Sequence, residues 1–316
     1  MATTTSITTA YVGEFSSKYV SAALLSANTI DAGGLTILPN VKYKQTLNKI
    51  STDAILKNAT CDFDATSTVT LTERVLTVED FQVNLQLCKK DFHNTYMGME
   101  QGASAFDTLP KSFADYLIAY TADKVSAAVE TAIWSGANAT AGQIDGFETL
   151  LAADADLPAA NEVGGTTVTA ANVIVELGKI VAAIPAAVYG RDGLKIYASR
   201  NIVKAYVSAL GGFVATIGGA GVDNKGTQWY TDGSLSFDGI PIFMASGMTS
   251  NVAICTYQEN LYFGCSVLSD MNEVRVIDMS EFDGSQNVRI VMRMGFGIQY
   301  ANVEDIVTYG ITNSAN

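Results

Sequence analysis

From Phe81 to Cys88 apolar and polar residues alternate without a break: Phe81, Val83, Leu85 and Leu87 fall on one face, Gln82, Asn84 and Gln86 on the other. A period of two belongs to a strand buried on one side. Upstream, Ser67–Thr72 puts Val69 and Leu71 on a common side, and the Thr-, Glu- and Asp-rich sequence around both runs predicts a long hairpin projecting from the body. The period then lengthens. After Thr108 and Pro110, apolar residues recur at Phe113, Leu117, Tyr120, Val125, Ala128, Val129, Ala132 and Ile133 as far as Gly136, which predicts a helix over about 108–135. About 26 residues make a rod of roughly 39 Å, a spine for the domain.

Residues 136–167, rich in Ala, Gly, Asn and Asp, read as loops and short turns. Thr169 then caps a helix carrying Val173, Leu177, Ile180, Val181 and Ile184, stopped by Pro185, and a short strand follows at Leu194–Ala198. A third helix starts at about Arg200, with Ile202, Val203, Tyr206, Val207 and Leu210 inward and Gly211 at its end. Beyond a glycine-rich loop at Gly211–Gly226, short strands are expected at Ile240–Ala245, Val252–Thr256 and Leu261–Phe263. Glu273–Met279 and Val288–Met294 flank Asp283-Gly284 and read as a late hairpin. The whole is an α+β chain with no internal repeat.

Composition narrows what such a fold can do. Apolar residues make up 48% of the 316, enough to fill a core and to exclude disorder throughout. A net charge of −13 argues against a protein that grips nucleic acid with most of its surface. Only 16% of residues are charged, which leaves much uncharged surface and points to self-association. The charge is uneven: residues 1–60 carry five lysines against three acids, leaving −15 for the remainder. A slightly basic, Thr/Ser-rich arm suits an acidic neighbouring surface. The N-terminus lacks a basic patch followed by an apolar run, and the longest apolar stretch, Ile180–Tyr189, is too short to span a bilayer, so an intracellular, soluble protein with no membrane partner is expected.

The motifs that would carry catalysis fail on spacing. One histidine, His93, cannot supply a multi-histidine metal site. Cys61, Cys88, Cys255 and Cys265 lie far apart and read as reduced, mostly buried thiols; Cys88 is near His93 in sequence but falls on a strand. In Gly218–Gly226 Lys225 precedes Gly226, against the order of a phosphate-binding loop, and Asn224 stands where a dinucleotide fingerprint starting at Gly219 needs glycine. Neither G-x-S-x-G nor S-x-x-K occurs. Asp154, Asp156 and Glu162 lack the spacing of a calcium loop and read as a solvated acidic loop. No catalytic residue, metal or cofactor is expected.

The order of elements, with Leu71-Thr-Glu-Arg-Val-Leu76 leading to Leu87-Cys-Lys-Lys-Asp-Phe92, Phe237-Asp-Gly-Ile-Pro-Ile242 before Met248, and Leu261-Tyr-Phe-Gly264 leading to Asn272-Glu-Val-Arg-Val-Ile277 and Val288-Arg-Ile-Val-Met-Arg293, resembles the major capsid proteins of tailed bacteriophages, the Hong Kong ninety-seven fold shared with encapsulins. The resemblance implies an N-terminal arm (1–47), an extended β-hairpin loop (48–82), a peripheral domain (83–165 and 269–300) holding the spine helix, and an axial α/β domain (166–268 and 301–316). It implies a virion shell, assembled in the host cytoplasm through pentamers and hexamers around double-stranded DNA without sequence-specific binding. Scaffold, portal and decoration proteins are further expected partners. The chain starts on a short arm with no long scaffolding segment before it, so assembly is expected to use a separate scaffold or none. The other readings are an encapsulin-type compartment shell and a carboxylate-dependent hydrolase, for which no single Asp or Glu stands out. Interface candidates are Lys42, Lys44, Lys57, Phe81, Arg289 and Arg293. Phe81→Asp in the projecting loop and Arg293→Glu in the late hairpin are expected to block assembly and leave a soluble subunit.

Overall fold

The computed structural model describes residues 28–52, 55–59, 61, 67–88, 111–210, 235–265 and 274–315. The expected arm before residue 28, His93, Thr108, Pro110, the glycine-rich loop and Gly211 lie outside them, as do the side chains of Phe113 and Leu117. In chain order the elements begin with α1 (Asn28–Asp31), β1 (Thr36–Leu38), β2 (Lys44–Thr52), β3 (Val69–Thr77) and β4 (Glu79–Cys88). There follow α2 (Lys111–Ser135), α3 (Phe147–Ala153), β5 (Glu162–Val163), α4 (Val173–Ala183), β6 (Leu194–Ser199) and α5 (Arg200–Ala209). The last are β7 (Ser236–Phe237), β8 (Ile240–Ala245), β9 (Ala253–Tyr257), β10 (Leu261–Cys265), β11 (Val274–Asp278), α6 (Ser280–Asp283), β12 (Asn287–Tyr300) and β13 (Val307–Tyr309).

β12 organises one sheet. It pairs antiparallel with β4 from Asn287↔Cys88 to Phe296↔Glu79, with β11, and near its C-terminal end with β10; β1 adds in parallel to β10. The register sets Met294 against Phe81, Met292 against Val83, Ile290 against Leu85 and Val288 against Leu87. The apolar faces of the two strands therefore coincide, as a half-buried sheet requires. β11 and β12 form the expected late hairpin, joined through α6 and a left-handed Gly284 rather than by a two-residue turn.

The second sheet has the order β5-β13-β9-β6-β8-β7. β9 is buried along its whole length: Ile254 joins the core that includes Trp134 and the inner face of β12, whereas Ala253, Cys255 and Tyr257 join the core under α4 and α5. A strand covered on both sides reads as a continuous apolar run, which is why Ala253–Tyr257 lacks alternation. α4 starts at Val173, later than Thr169, because Thr169 sits in the preceding turn and accepts the Val173 N–H through its carbonyl. Leu210, expected inward, is exposed beyond the end of α5. Residues 136–167 hold two elements the composition hid, α3 and β5; Phe147 and Leu151 are too few to make a helical period over one short helix.

α2, 25 residues and about 38 Å long, is the spine. Its last turns are buried at Val129, Ala132, Ile133 and Trp134, while Tyr120 and Ala128 are exposed. Trp134 stacks near Phe147 (5.5 Å between centroids) and Tyr197 (5.3 Å). Its indole N–H donates to the Thr29 hydroxyl at 2.9 Å, and that hydroxyl donates to Glu130, which also accepts the Thr29 backbone N–H. Burial pushes the Glu130 carboxyl above the usual range, only in part offset by these donors. Tyr197 donates to the Gly34 carbonyl at 2.6 Å. Residues 28–38 are thus stitched between the spine and both sheets of the same chain.

Candidate functional site

A solitary two-stranded sheet stands apart from these layers. β2 and β3 pair antiparallel over their full nine residues, from Lys44↔Thr77 to Thr52↔Val69. The hairpin expected from the Ser67–Thr72 run exists, but its second partner is β2 and not β4. Phe81 accordingly does not project. It sits in β4, half-buried, with its ring 4.8 Å from that of Phe296. The alternation of 81–88 specifies a half-buried strand but not which strand lies beside it. Phe81→Asp should lower stability by about 2–4 kcal/mol through an unpaired carboxylate against the core. Chemical denaturation of the variant measures this, and Arg293→Glu, on the exposed face, should stay within about 0.5 kcal/mol of the unaltered chain.

The two faces of the hairpin differ in chemistry. Leu47, Lys49, Arg74 and Leu76 face the body and are partly or fully covered. On the opposite face Ile50 lies directly across from Leu71, Thr52 from Val69 and Thr46 from Val75, and the four apolar side chains are exposed, Ile50 at 69% and Leu71 at 64%. Beyond β2, Ile55 and Leu56 continue the apolar surface, Leu56 at 95% exposure. Exposed aliphatic residues clustered on a paired strand, here Ile50, Val69 and Leu71, are the kind of surface that contacts a partner.

The base of the hairpin is wedged into the sheet. Leu76 is fully buried with Val41 and Val78, and presses on Gly264, where a Cβ would lie 2.5 Å from the Leu76 methyl group. At Gly297 a Cβ would collide with the Thr77 carbonyl. Only glycine at 297 lets the β3–β4 corner cross β12 this closely, whereas a side chain at 264 would have to displace the Leu76 methyl group.

Further out, the inner face is held by charge. Arg74 pairs with Asp154 at 2.7 Å and Asp156 at 3.6 Å, and its guanidinium lies 4.7 Å from the centre of the Tyr300 ring. Tyr300 donates its hydroxyl to Asp154, and on the other strand Lys49 pairs with Glu304 at 2.9 Å. The acidic loop expected at Asp154 and Asp156 is therefore the seat of a hairpin cation, whereas Glu162 accepts the Asn313 backbone N–H. Partial burial pushes Asp154 upward, but the hydrogen bonds from Tyr300 and the Asp156 amide, with the Arg74 charge, hold it below the usual carboxylate range. Such a group adds stability above its unfolded pKa that is lost as pH falls through the lower folded value. Asp154→Asn should cost about 1 kcal/mol at neutral pH. The two unfolding curves should converge in acid, below the ordinary Asp range, and equal stability at neutral pH would refute the assignment.

The six interface candidates do not converge on one site. Lys42, Lys44 and Lys57 are exposed along and beyond β2, with the Lys44 ammonium 5.1 Å from the Tyr43 ring centre. Arg289 and Arg293 are exposed on the polar face of β12, where Arg289 donates to Gln86 at 3.0 Å. The outer-face residues Ile50, Leu71 and Val75 were missed as candidates, although the alternation of Val69, Leu71 and Val75 with Thr70, Thr72 and Arg74 was a readable signal.

The acids and thiols have structural occupations. Glu148 takes the Thr249 backbone N–H at 2.7 Å, and Glu176 takes Lys179 and the Tyr309 hydroxyl. Burial raises the Cys255 thiol to about 12. Cys61 is exposed and Cys88 half-buried, so two of the four thiols are buried. Among the described residues no three His, Cys, Asp or Glu side chains gather as a metal site, and no helix is long and apolar enough to cross a membrane.

No protein-family model matches the sequence, and no curated protein is detectably similar to it. Solved structures do match. The capsid of a native gene transfer agent (GTA) particle, computed with C5 symmetry, is similar at a TM-score of 0.57 and 14% identity over 90% of each chain. A structure from Mycobacterium phage Bobi gives 0.57 and 12% over 92% of each chain, and the capsid of the cyanophage P-SCSP1u 0.54 and 10% over 87% of this chain and 86% of that one. At these identities the likeness establishes the fold, and it covers about nine-tenths of each chain.

Proposed function

We propose that this chain, which has the Hong Kong ninety-seven-type α+β fold of tailed-phage capsid subunits, is a major capsid protein. It assembles through pentamers and hexamers into an icosahedral shell around phage double-stranded DNA, with scaffold, portal and decoration proteins as further partners. The reading rests on one observation: solved capsids cover about nine-tenths of the chain and are themselves covered to the same extent. The protein is then a structural component of the virion, assembled in the host cytoplasm, and not an enzyme.

The domain roles follow the same reading. The spine α2 and the β12 sheet form the peripheral domain, the β9 sheet with α4 and α5 the axial domain at the capsomer centre, and the hairpin reaches over a neighbour. Its apolar outer face supplies the burial, and the exposed Lys42, Lys44 and Lys57 meet a neighbour's acidic surface. Arg289 and Arg293 form a second, polar contact on β12. A strongly acidic chain encloses DNA without adhering to it, since phosphate and carboxylate repel.

Particles purified from cells that make the protein, treated with nuclease and then opened, test the contents. Protected double-stranded DNA is the expected result. Shells holding only protein would move the chain to the encapsulin-type compartments, and slowly sedimenting chain alone would remove the shell reading.

A further inference from the structure

The hairpin meets the body through two kinds of contact arranged in series. At its base Leu76 is wholly buried over Gly264, a close-packed pivot. Arg74 lies two residues farther out on the same strand, and Lys49, paired across the hairpin with Thr72, about two residues farther still. At roughly 3.4 Å per residue these cations stand about 7 and 14 Å from the pivot. Apart from the half-buried Leu47, the inner face beyond the pivot is polar or charged. The charged groups it meets are acidic, Asp154 and Asp156 from the loop after α3 and Glu304 after β12, while Gln299 donates to the Val75 carbonyl at 3.2 Å and the Tyr300 ring lies against Arg74. Asp154 is itself braced, by the Tyr300 hydroxyl and, through its carbonyl, by the Asn313 amide near the C-terminus.

We propose that Arg74–Asp154 and Lys49–Glu304 form an ionic clamp that sets the angle of the hairpin to the body and frees it to swing on the Leu76 pivot when the charges are screened. Two observations make the clamp releasable. Lys49 and Glu304 are 26% and 65% exposed, and exposed pairs are individually weak and salt-sensitive, whereas Arg74 and Asp154, 24% and 10% exposed, are screened less. Arg74, Asp154 and Tyr300 also line a cleft of about 330 Å3 with Asp145, Thr149 and Gln299, so counter-ions have a route to the charges. The strand pairing of β2 with β3 does not depend on the clamp, so the hairpin moves as a unit. The clamp is a property of the single subunit and stands without the shell reading. Where both hold, the clamp decides which way the apolar outer face points when a neighbour arrives.

The test is a distance measurement on the full chain carrying Cys61→Ser and Cys88→Ser, with spin labels at Ser51→Cys on the hairpin and Asn138→Cys on the body, diluted with unlabelled protein. At low salt a single narrow distance is expected. It should spread into a broad distribution at about 1 M salt, where the screening length falls to about 3 Å. Arg74→Gln should give the broad distribution already at low salt, and the exchanged pair Arg74→Asp with Asp154→Arg should restore the narrow one. Lys44→Gln, outside the clamp, should change nothing. A distance unmoved by both salt and Arg74→Gln would overturn the proposal and assign the hold to the uncharged contacts, the Leu76 wedge and the Gln299 hydrogen bond to Val75. Because the readout needs no assembly, that failure would leave the capsid reading untouched.

Discussion

Replacing Ile50 and Leu71 together by aspartate is expected to abolish shell formation while leaving a folded, soluble subunit. The two residues face each other across β2 and β3 on the side away from the body, each about two-thirds exposed. Neither contributes to a core cluster, so the fold loses little beyond strand propensity, about 1 kcal/mol per substitution or less. At a buried contact with a neighbour the same change places two unpaired carboxylates in an apolar interface, at a cost of several kcal/mol for each subunit contact. A shell repeats that contact many times, so the loss compounds. Gradient sedimentation reports assembly, and thermal unfolding with circular dichroism reports the fold. Shells formed at normal yield by the double variant would show that the outer face is not an interface.

The second large effect is on stability. Trp134 joins four parts of the chain: the spine helix that carries it, Phe147 of α3, Tyr197 of β6 and, through its indole N–H, Thr29 of α1. Trp134→Ala leaves a large cavity at the centre of the main core and should cost about 3–5 kcal/mol. Trp134→Phe keeps most of the packing, removes the donor to Thr29 and should cost about 1–2 kcal/mol. Denaturant unfolding separates the two, and native-state hydrogen exchange at residues 28–38 should rise in both variants. An alanine variant as stable as the unaltered chain would mean that the layers are held without this junction.

Periodicity carried the regular elements well. The alternation at 81–88 and 288–294, and the apolar spacing of 108–135, correspond to β4, β12 and α2, because a half-buried strand or a helix packed on one face leaves its period in the sequence. What periodicity cannot carry is partnership. Phe81 reads equally well in a projecting hairpin or in a sheet, and the register with Met294 decides it. β2 escaped notice because Lys44–Thr52 has an apolar residue only at Leu47 and Ile50, and its inward positions include a lysine that reaches Glu304.

The surroundings of the candidate surface were legible only in part. Sparse charge and the slightly basic residues 1–60 lead to an expectation of contacts between copies, and Lys42, Lys44 and Lys57 lie exposed. The role of Asp154 stayed hidden, since its partner Arg74 is eighty residues away and no local pattern links a loop acid to a distant hairpin cation. For a hydrolase, 32 acids offer many pairs, and the sequence does not say which of them meet in space. In the structure Glu130, Glu148, Asp154 and Glu176 each accept hydrogen bonds that fasten one element to another or bridge within a helix, and these bonds are what their burial requires.

The most direct test of the capsid assignment is negative-stain electron microscopy of the purified chain at high concentration and across a range of salt. Closed shells, tubes or isolated rings of five or six subunits are the predicted result. A chain that remains no larger than a dimer under every condition, with and without the other proteins of the particle, would contradict it.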